Sequence, residues 1–372
     1  MKRLYNTALA FAARCIVIVF AAALLSLQAG ASGVQSDVSD ALSGVDLSAA
    51  DEFLDDNGVD MSDPESISNV GAGAILGYLF DVLKSAISSP LKILLTVVVI
   101  ALVCEVTKSA STSAGIGGQV FVIICFLAVS PQIINTFSDM LLATSSMQAF
   151  TASYIPIFAA ITAASGNMGA ATSYSALVLY AAEGVTAIST VILKPVLACM
   201  LVLACAQAIS GELPDLTGTL RRVFTGITGA VMTVFVGVIG LQTVVGRTST
   251  NIALRTGKYL VSSFVPVIGM SLSESYKTVM VSISAMRSAV GALGIIVIII
   301  ILSVPIITMW VHKLIFNICE WLCAITNSTA LASLMRGIAD VYSLCVTLLL
   351  IYSMMFIIAT GMLIVLGGEA YI

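Results

Sequence analysis

From about residue 70 onward apolar residues run almost without interruption, and polar residues cut the run into segments of similar length. About twenty apolar residues cross the bilayer hydrocarbon as a helix. On this pattern spans are predicted at 91–107, 118–137, 174–193, 195–211, 223–246, 288–310 and 341–367. A further apolar segment, 314–332, is diluted by Asn317, Glu320 and Asn327, and it sets the side of the C-terminus according to whether it crosses. Residues 70–89 form an amphipathic lead-in helix with Asp81 and Lys84 on its polar side. The Ile and Val runs are not read as strands. An open sheet edge cannot sit in lipid, and the alternating pattern of a barrel is absent. The predicted fold is an all-α polytopic membrane protein with about seven to eight transmembrane helices.

Two connecting regions do not fit simple spans. Residues 138–173 contain Tyr154-Ile155-Pro156-Ile157 and then Ser165-Gly166-Asn167-Met168-Gly169. Residues 247–287 contain Phe264-Val265-Pro266-Val267 and then Ser271 to Glu274. Both are interrupted by Pro and rich in Ser and Gly, as broken or re-entrant helices are. Pro156 and Pro266 are 110 residues apart, as are Pro195 and Pro305, and Gly184 and Gly294. The first region has no Lys or Arg, whereas the second carries Arg247, Arg255, Lys258, Lys277 and Arg287. The positive-inside rule then places them on opposite sides. Together these features suggest an inverted repeat, 91–194 against 195–310, followed by C-terminal helices over 311–372. Arg221 and Arg222 run against this topology, because it places them outside.

The N-terminal stretch differs. Lys2, Arg3 and Arg14 precede an apolar core from Cys15 to Leu27, and Ala29-Gly30-Ala31 offers small residues for cleavage. Residues 1–31 are therefore read as a secretory signal peptide, with an uncleaved anchor as the alternative. Ten of the twenty acidic residues fall between Asp37 and Glu65, and no Lys or Arg occurs from Cys15 through Leu83. Residues 32–69 are read as an acidic, largely disordered extracytoplasmic segment, with a short helix near Leu47 to Leu54. Residues 70–372 form the membrane domain.

Composition agrees with lipid as the solvent. Of the 372 residues 59% are hydrophobic and 10% charged. Ordinary soluble domains carry about 25% charge. The net charge of −4 and the absence of a basic face argue against nucleic-acid binding. The eight cysteines lie in apolar surroundings. Cys319 and Cys323 are one helical turn apart, but the sequence offers no second ligand pair, so no metal site is predicted. His312 is the one histidine, which leaves a Ser-His-Asp triad or a zinc site hard to build. No catalytic residue and no cofactor is predicted, and an intramembrane enzyme is not favoured.

Ionisable groups in lipid are expensive and point to function. Glu183, beside Gly184, is the deepest candidate and could bind a cation or proton. Its alternative role is a helix-packing carboxylate. With Gly166, Asn167, Gly169, Pro156 and Pro266 it forms the candidate pathway. Glu105, near Lys108, reads as interfacial.

At residues 247–290, Arg255-Thr256-Gly257-Lys258-Tyr259 is followed by Phe264-Val265-Pro266-Val267-Ile268-Gly269. This resembles the stage III sporulation protein AE family of endospore-forming bacteria, with Arg255, Lys258, Pro266 and Gly269 as the family-like positions. The segment from Tyr154 to Ala164 also looks like the family's middle portion, and the layout agrees over nearly the whole chain. The resemblance implies a mother-cell protein in the membrane around the forespore. There it would join other stage III subunits and a forespore-membrane partner in a channel-like or secretion-like complex supporting forespore development. The alternative is an autonomous ion-coupled secondary transporter.

Overall fold

A computed structural model describes residues 52–53, 56–58, 72–110, 117–164, 168–187, 191, 193–210, 215–264 and 269–366. They form seven long helices and, among the described residues, no strand. The helices are α1 (Ala72–Ala110), α2 (Gly117–Ala164), α3 (Met168–Ala187), α4 (Lys194–Ser210), α5 (Leu216–Phe264), α6 (Gly269–Ile325) and α7 (Thr329–Leu366). Five contain segments long and apolar enough to cross a membrane: Gly73–Thr107, Gly118–Ala163, Leu216–Gln242, Val290–Ile325 and Thr329–Met362. The segments expected at 174–193 and 195–211 fall largely on α3 and α4, of 20 and 17 residues.

Why the chain forms helices follows from its solvent. Every backbone polar group in hydrocarbon must be satisfied within its own segment. On α1, Ile93, Val97, Ala101 and Cys104 are buried at helical spacing, while Leu95, Val99, Leu102 and Val106 are exposed on the opposite side. A helix apolar all round packs one face on protein and gives the other to lipid.

On α2 the buried stripe is longer. Val122, Cys125, Val129, Ile133, Thr136, Met140, Thr144, Met147, Thr151, Ile155, Phe158 and Thr162 follow one another at steps of three or four. This stripe corrects the expectation of a broken segment at Pro156, because α2 continues through both Pro131 and Pro156 to Ala164. Both prolines lie on the exposed side. Pro131 has no N–H for the Leu127 carbonyl, and the Ser130 hydroxyl donates there instead at 3.2 Å. A full break would leave several backbone groups unpaired in lipid, each costing several kcal/mol, against about 3 kcal/mol for a proline inside a helix. Pro266 lies outside the described residues.

The lead-in segment 70–89 is likewise no separate element, since α1 passes through Pro90. Segment 314–332 is not a span of its own. It comprises the end of α6, a tight turn and the start of α7. Asn327 adopts φ 53°, Ser328 N–H donates to the Cys323 carbonyl at 2.9 Å, and Asn327 N–H donates to the Ala324 carbonyl at 3.1 Å. These paired bonds cap α6, with Asn as the left-handed residue.

The α6–α7 hairpin forms the centre, with α1 and α2 against α6, and α4 and α5 against α7. Gln119 Nε2 donates to the Ile209 carbonyl at 3.2 Å, which brings the start of α2 to the end of α4. The start of α5 and the α6–α7 turn meet at this same end. The 110-residue offset does not map element onto element. α3 ends at Ala187 and α4 begins at Lys194, whereas Val297 and Val304, 110 residues on, both lie within α6.

Residues 1–31, expected to be a signal peptide, lie outside the described residues. Of the acidic segment, Phe53 is 5% exposed and sets its ring edge-on to Tyr78 at 5.3 Å. One aromatic anchor thus ties this segment to α1.

Candidate functional site

The polar groups in the interior gather at three places. The first joins α2 and α3 to the central hairpin. Phe150, Tyr154 and Phe158 stack one turn apart on α2, with centroids 5.2 and 5.6 Å apart. Gly291 and Gly294 form a notch on α6, and a Cβ at Gly294 would overlap the Tyr154 ring. The Tyr154 hydroxyl donates to the Val290 carbonyl at 3.0 Å beside this notch. From α3, the Tyr174 hydroxyl donates to the Ala359 carbonyl on α7 at 2.5 Å. Buried tyrosines need such partners, and here they hold the α2–α3 pair in place.

The second place is charged. At the end of the bundle where α4 stops and α5 and α7 begin, Arg221 pairs with Asp340 at 2.7 Å. Arg336 pairs with Glu320, also at 2.7 Å, across the α6–α7 hairpin. Asp215 caps α5 by accepting from Gly218 N–H at 2.9 Å, and the Thr217 hydroxyl donates to the buried Gln207 at 3.2 Å. This seam ties α4, α5, α6 and α7 together. Beside it, α4 and α7 cross at Gly337, where a Cβ would meet the Ala204 Cβ at 2.5 Å.

The third place lies deeper. His312 is 2% exposed, and its Nδ1 lies 2.8 Å from the Thr308 carbonyl. A carbonyl only accepts, so Nδ1 carries the hydrogen and Nε2 is left as an acceptor. The imidazole stacks on Tyr342 with centroids 5.3 Å apart and planes 7° apart. Phe316 and Phe137 pack on the same phenol ring at 5.3 and 5.4 Å. The Tyr342 hydroxyl is buried and, among the described residues, has no hydrogen-bond partner.

Cysteines also converge. Cys319 and Cys323 on α6 lie within electrostatic reach of Cys125 on α2, and Cys323 of Cys104 on α1. Among the described residues, however, no group of three His, Cys, Asp or Glu is arranged to hold a metal ion.

The residues singled out from sequence fare unevenly. Glu183 and Gly184 are exposed on α3, so neither lines the interior of this chain. Pro156 is exposed on α2. Gly166, Asn167 and Pro266 lie outside the described residues. Gly169 lies in α3, Arg255 and Lys258 lie in α5, and Gly269 starts α6. The candidate pathway is therefore not assembled among the described residues. Tyr154, Tyr174, Arg221, Asp340 and Tyr342 were not candidates. The predicted spans 288–310 and 341–367 stop just short of His312 and Asp340, so span depth gave no signal for either.

Comparison with known proteins gives a consistent answer. The family model for stage III sporulation protein AE matches residues 64–367, which includes the whole helical body. The stage III sporulation protein AE of Bacillus subtilis (strain 168) is 24% identical over 306 residues, covering 79% of this chain and 75% of that protein. No solved structure matches.

Proposed function

Because this chain belongs to the stage III sporulation protein AE family, we propose that it is the membrane core subunit of a mother-cell channel or secretion-like complex. The complex supports forespore development after engulfment, and the protein sits in the outer forespore membrane beside other stage III subunits and a forespore-membrane partner. The observation that carries this reading is the family match over residues 64–367, which spans all seven helices from α1 to α7. Five membrane-length apolar segments support a core position in the bilayer. The autonomous transporter gains nothing from the structure, since Glu183, its coupling candidate, is exposed.

In-frame deletion in the source organism tests the proposal. The expected strain completes engulfment, fails to switch on late forespore expression and forms no spores, and the intact gene restores all three. Normal spore yield in the deletion strain overturns it.

A further inference from the structure

An ionisable side chain inside a membrane bundle is costly and is retained where it does something. His312 is such a residue, and a phenylalanine would fill the same place in the aromatic stack without the polar edge. The imidazole is bonded at Nδ1 only. Nε2 is buried and has no hydrogen-bond partner among the described residues.

Burial works against an added charge on the imidazole, and two neighbours offset part of that cost. The Tyr342 ring lies parallel to the imidazole at 5.3 Å, within the roughly 6 Å at which an aromatic face attracts a cation. The Thr308 carbonyl accepts from Nδ1–H in either protonation state. The charged seam lies on the same hairpin and reaches the surface, with Arg336 71% exposed. Tyr342 is two residues from Asp340, about 3 Å along α7, and Glu320 is eight residues from His312, about 12 Å along α6.

Other bases nearby are engaged. On α7 Asp340 holds Arg221, on α6 Glu320 holds Arg336, and on α5 Asp215 caps its helix. Cys319 and Cys345 are buried thiols on α6 and α7, Cys104 and Cys125 are buried on α1 and α2, and Asp139 on α2 is exposed. Lys313 follows His312 in the chain but is itself a cation. Cys323 on α6, another buried thiol, and Glu105 on α1 are further ionisable groups of the packed elements near this end.

We propose that His312 is a proton-binding site in the interior of the membrane body. One proton from water at the charged end joins Nε2, no other bond breaks, and the imidazolium rests on the Tyr342 ring and the Thr308 carbonyl. The site makes the α6–α7 contact responsive to proton concentration.

The single histidine makes the test clean. Full-length protein with 15N-histidine and without a histidine tag gives one imidazole in solid-state NMR spectra of liposomes. The Nδ1–H neutral form is expected at pH 8, with reversible conversion to imidazolium by pH 5 and magnetisation transfer from water to Nε2. Tyr342→Leu is expected to lower the proton affinity about fivefold. A neutral signal unchanged at pH 5, or no transfer from water, overturns the proposal. An unchanged midpoint in Tyr342→Leu overturns the part assigned to that ring.

Discussion

Gly337→Ala is the sharpest perturbation of the packing. The new Cβ would lie 2.5 Å from the Ala204 Cβ and 3.2 Å from its Cα. Ordinary carbon contacts are about 3.5–4.0 Å, so α4 and α7 must part by roughly 1 Å. Neither neighbour can swing aside, because one is a methyl fixed to the backbone and the other is backbone. Overpacking of this kind costs about 1–3 kcal/mol. Replacing a helical Gly by Ala returns about 1 kcal/mol, which leaves a net loss of up to about 2 kcal/mol and a loss of about 1–3 kcal/mol relative to an unhindered Gly→Ala change. Thermal unfolding in detergent, followed with a thiol-reactive dye, reads the loss directly, because Cys104, Cys125, Cys319, Cys323 and Cys345 are buried until the bundle opens. The midpoint is expected to fall by up to about 6 °C. In an Ala204→Gly background the same substitution should no longer destabilise. Gly229→Ala, where a Cβ meets nothing within 4 Å, serves as the control and should not lower the midpoint. A Gly337→Ala midpoint no lower than that of Gly229→Ala, or no relief from Ala204→Gly, refutes the close crossing.

Arg221→Ala leaves the half-buried Asp340 unpaired and should cost about 1–2 kcal/mol, with Arg221→Ala plus Asp340→Ala milder than the sum of the two changes in the same melt. Arg336→Ala breaks a pair whose arginine is 71% exposed and should cost less than about 1 kcal/mol by the same readout. Asn327→Val forces a branched residue into left-handed backbone and should cost about 1–2 kcal/mol, whereas Asn327→Gly should be tolerated. Among the described cysteines Cys199 is exposed and five are buried, so mass spectrometry after brief labelling with a membrane-permeant maleimide should find Cys199 modified first.

The membrane body was legible because composition and run length report the solvent directly. The helix class followed from the same fact. What the pattern concealed was continuity. Pro131 and Pro156 look like breaks in the chain, yet the buried stripe from Val122 to Thr162 keeps helical spacing across both. Read by spacing alone, that stripe would have joined the segments. The Asn327 turn was foreshadowed only as dilution of an apolar segment. Local pattern carries no information about Arg221 meeting Asp340, or Tyr174 meeting Ala359, because those contacts join distant parts of the chain. His312 was weighed only as one member of a triad or a zinc site, so its stack on Tyr342 had no place in the reading. Glu183 was judged by depth in a segment, and depth does not tell the lipid face from the interior.

The outer faces of these helices meet the bilayer. Alkaline carbonate extraction of membranes from sporulating cells tests that most directly. Full-length protein remaining in the pellet, and released only by detergent, is the predicted result. Recovery in the carbonate supernatant as a detergent-free, monodisperse species would contradict it.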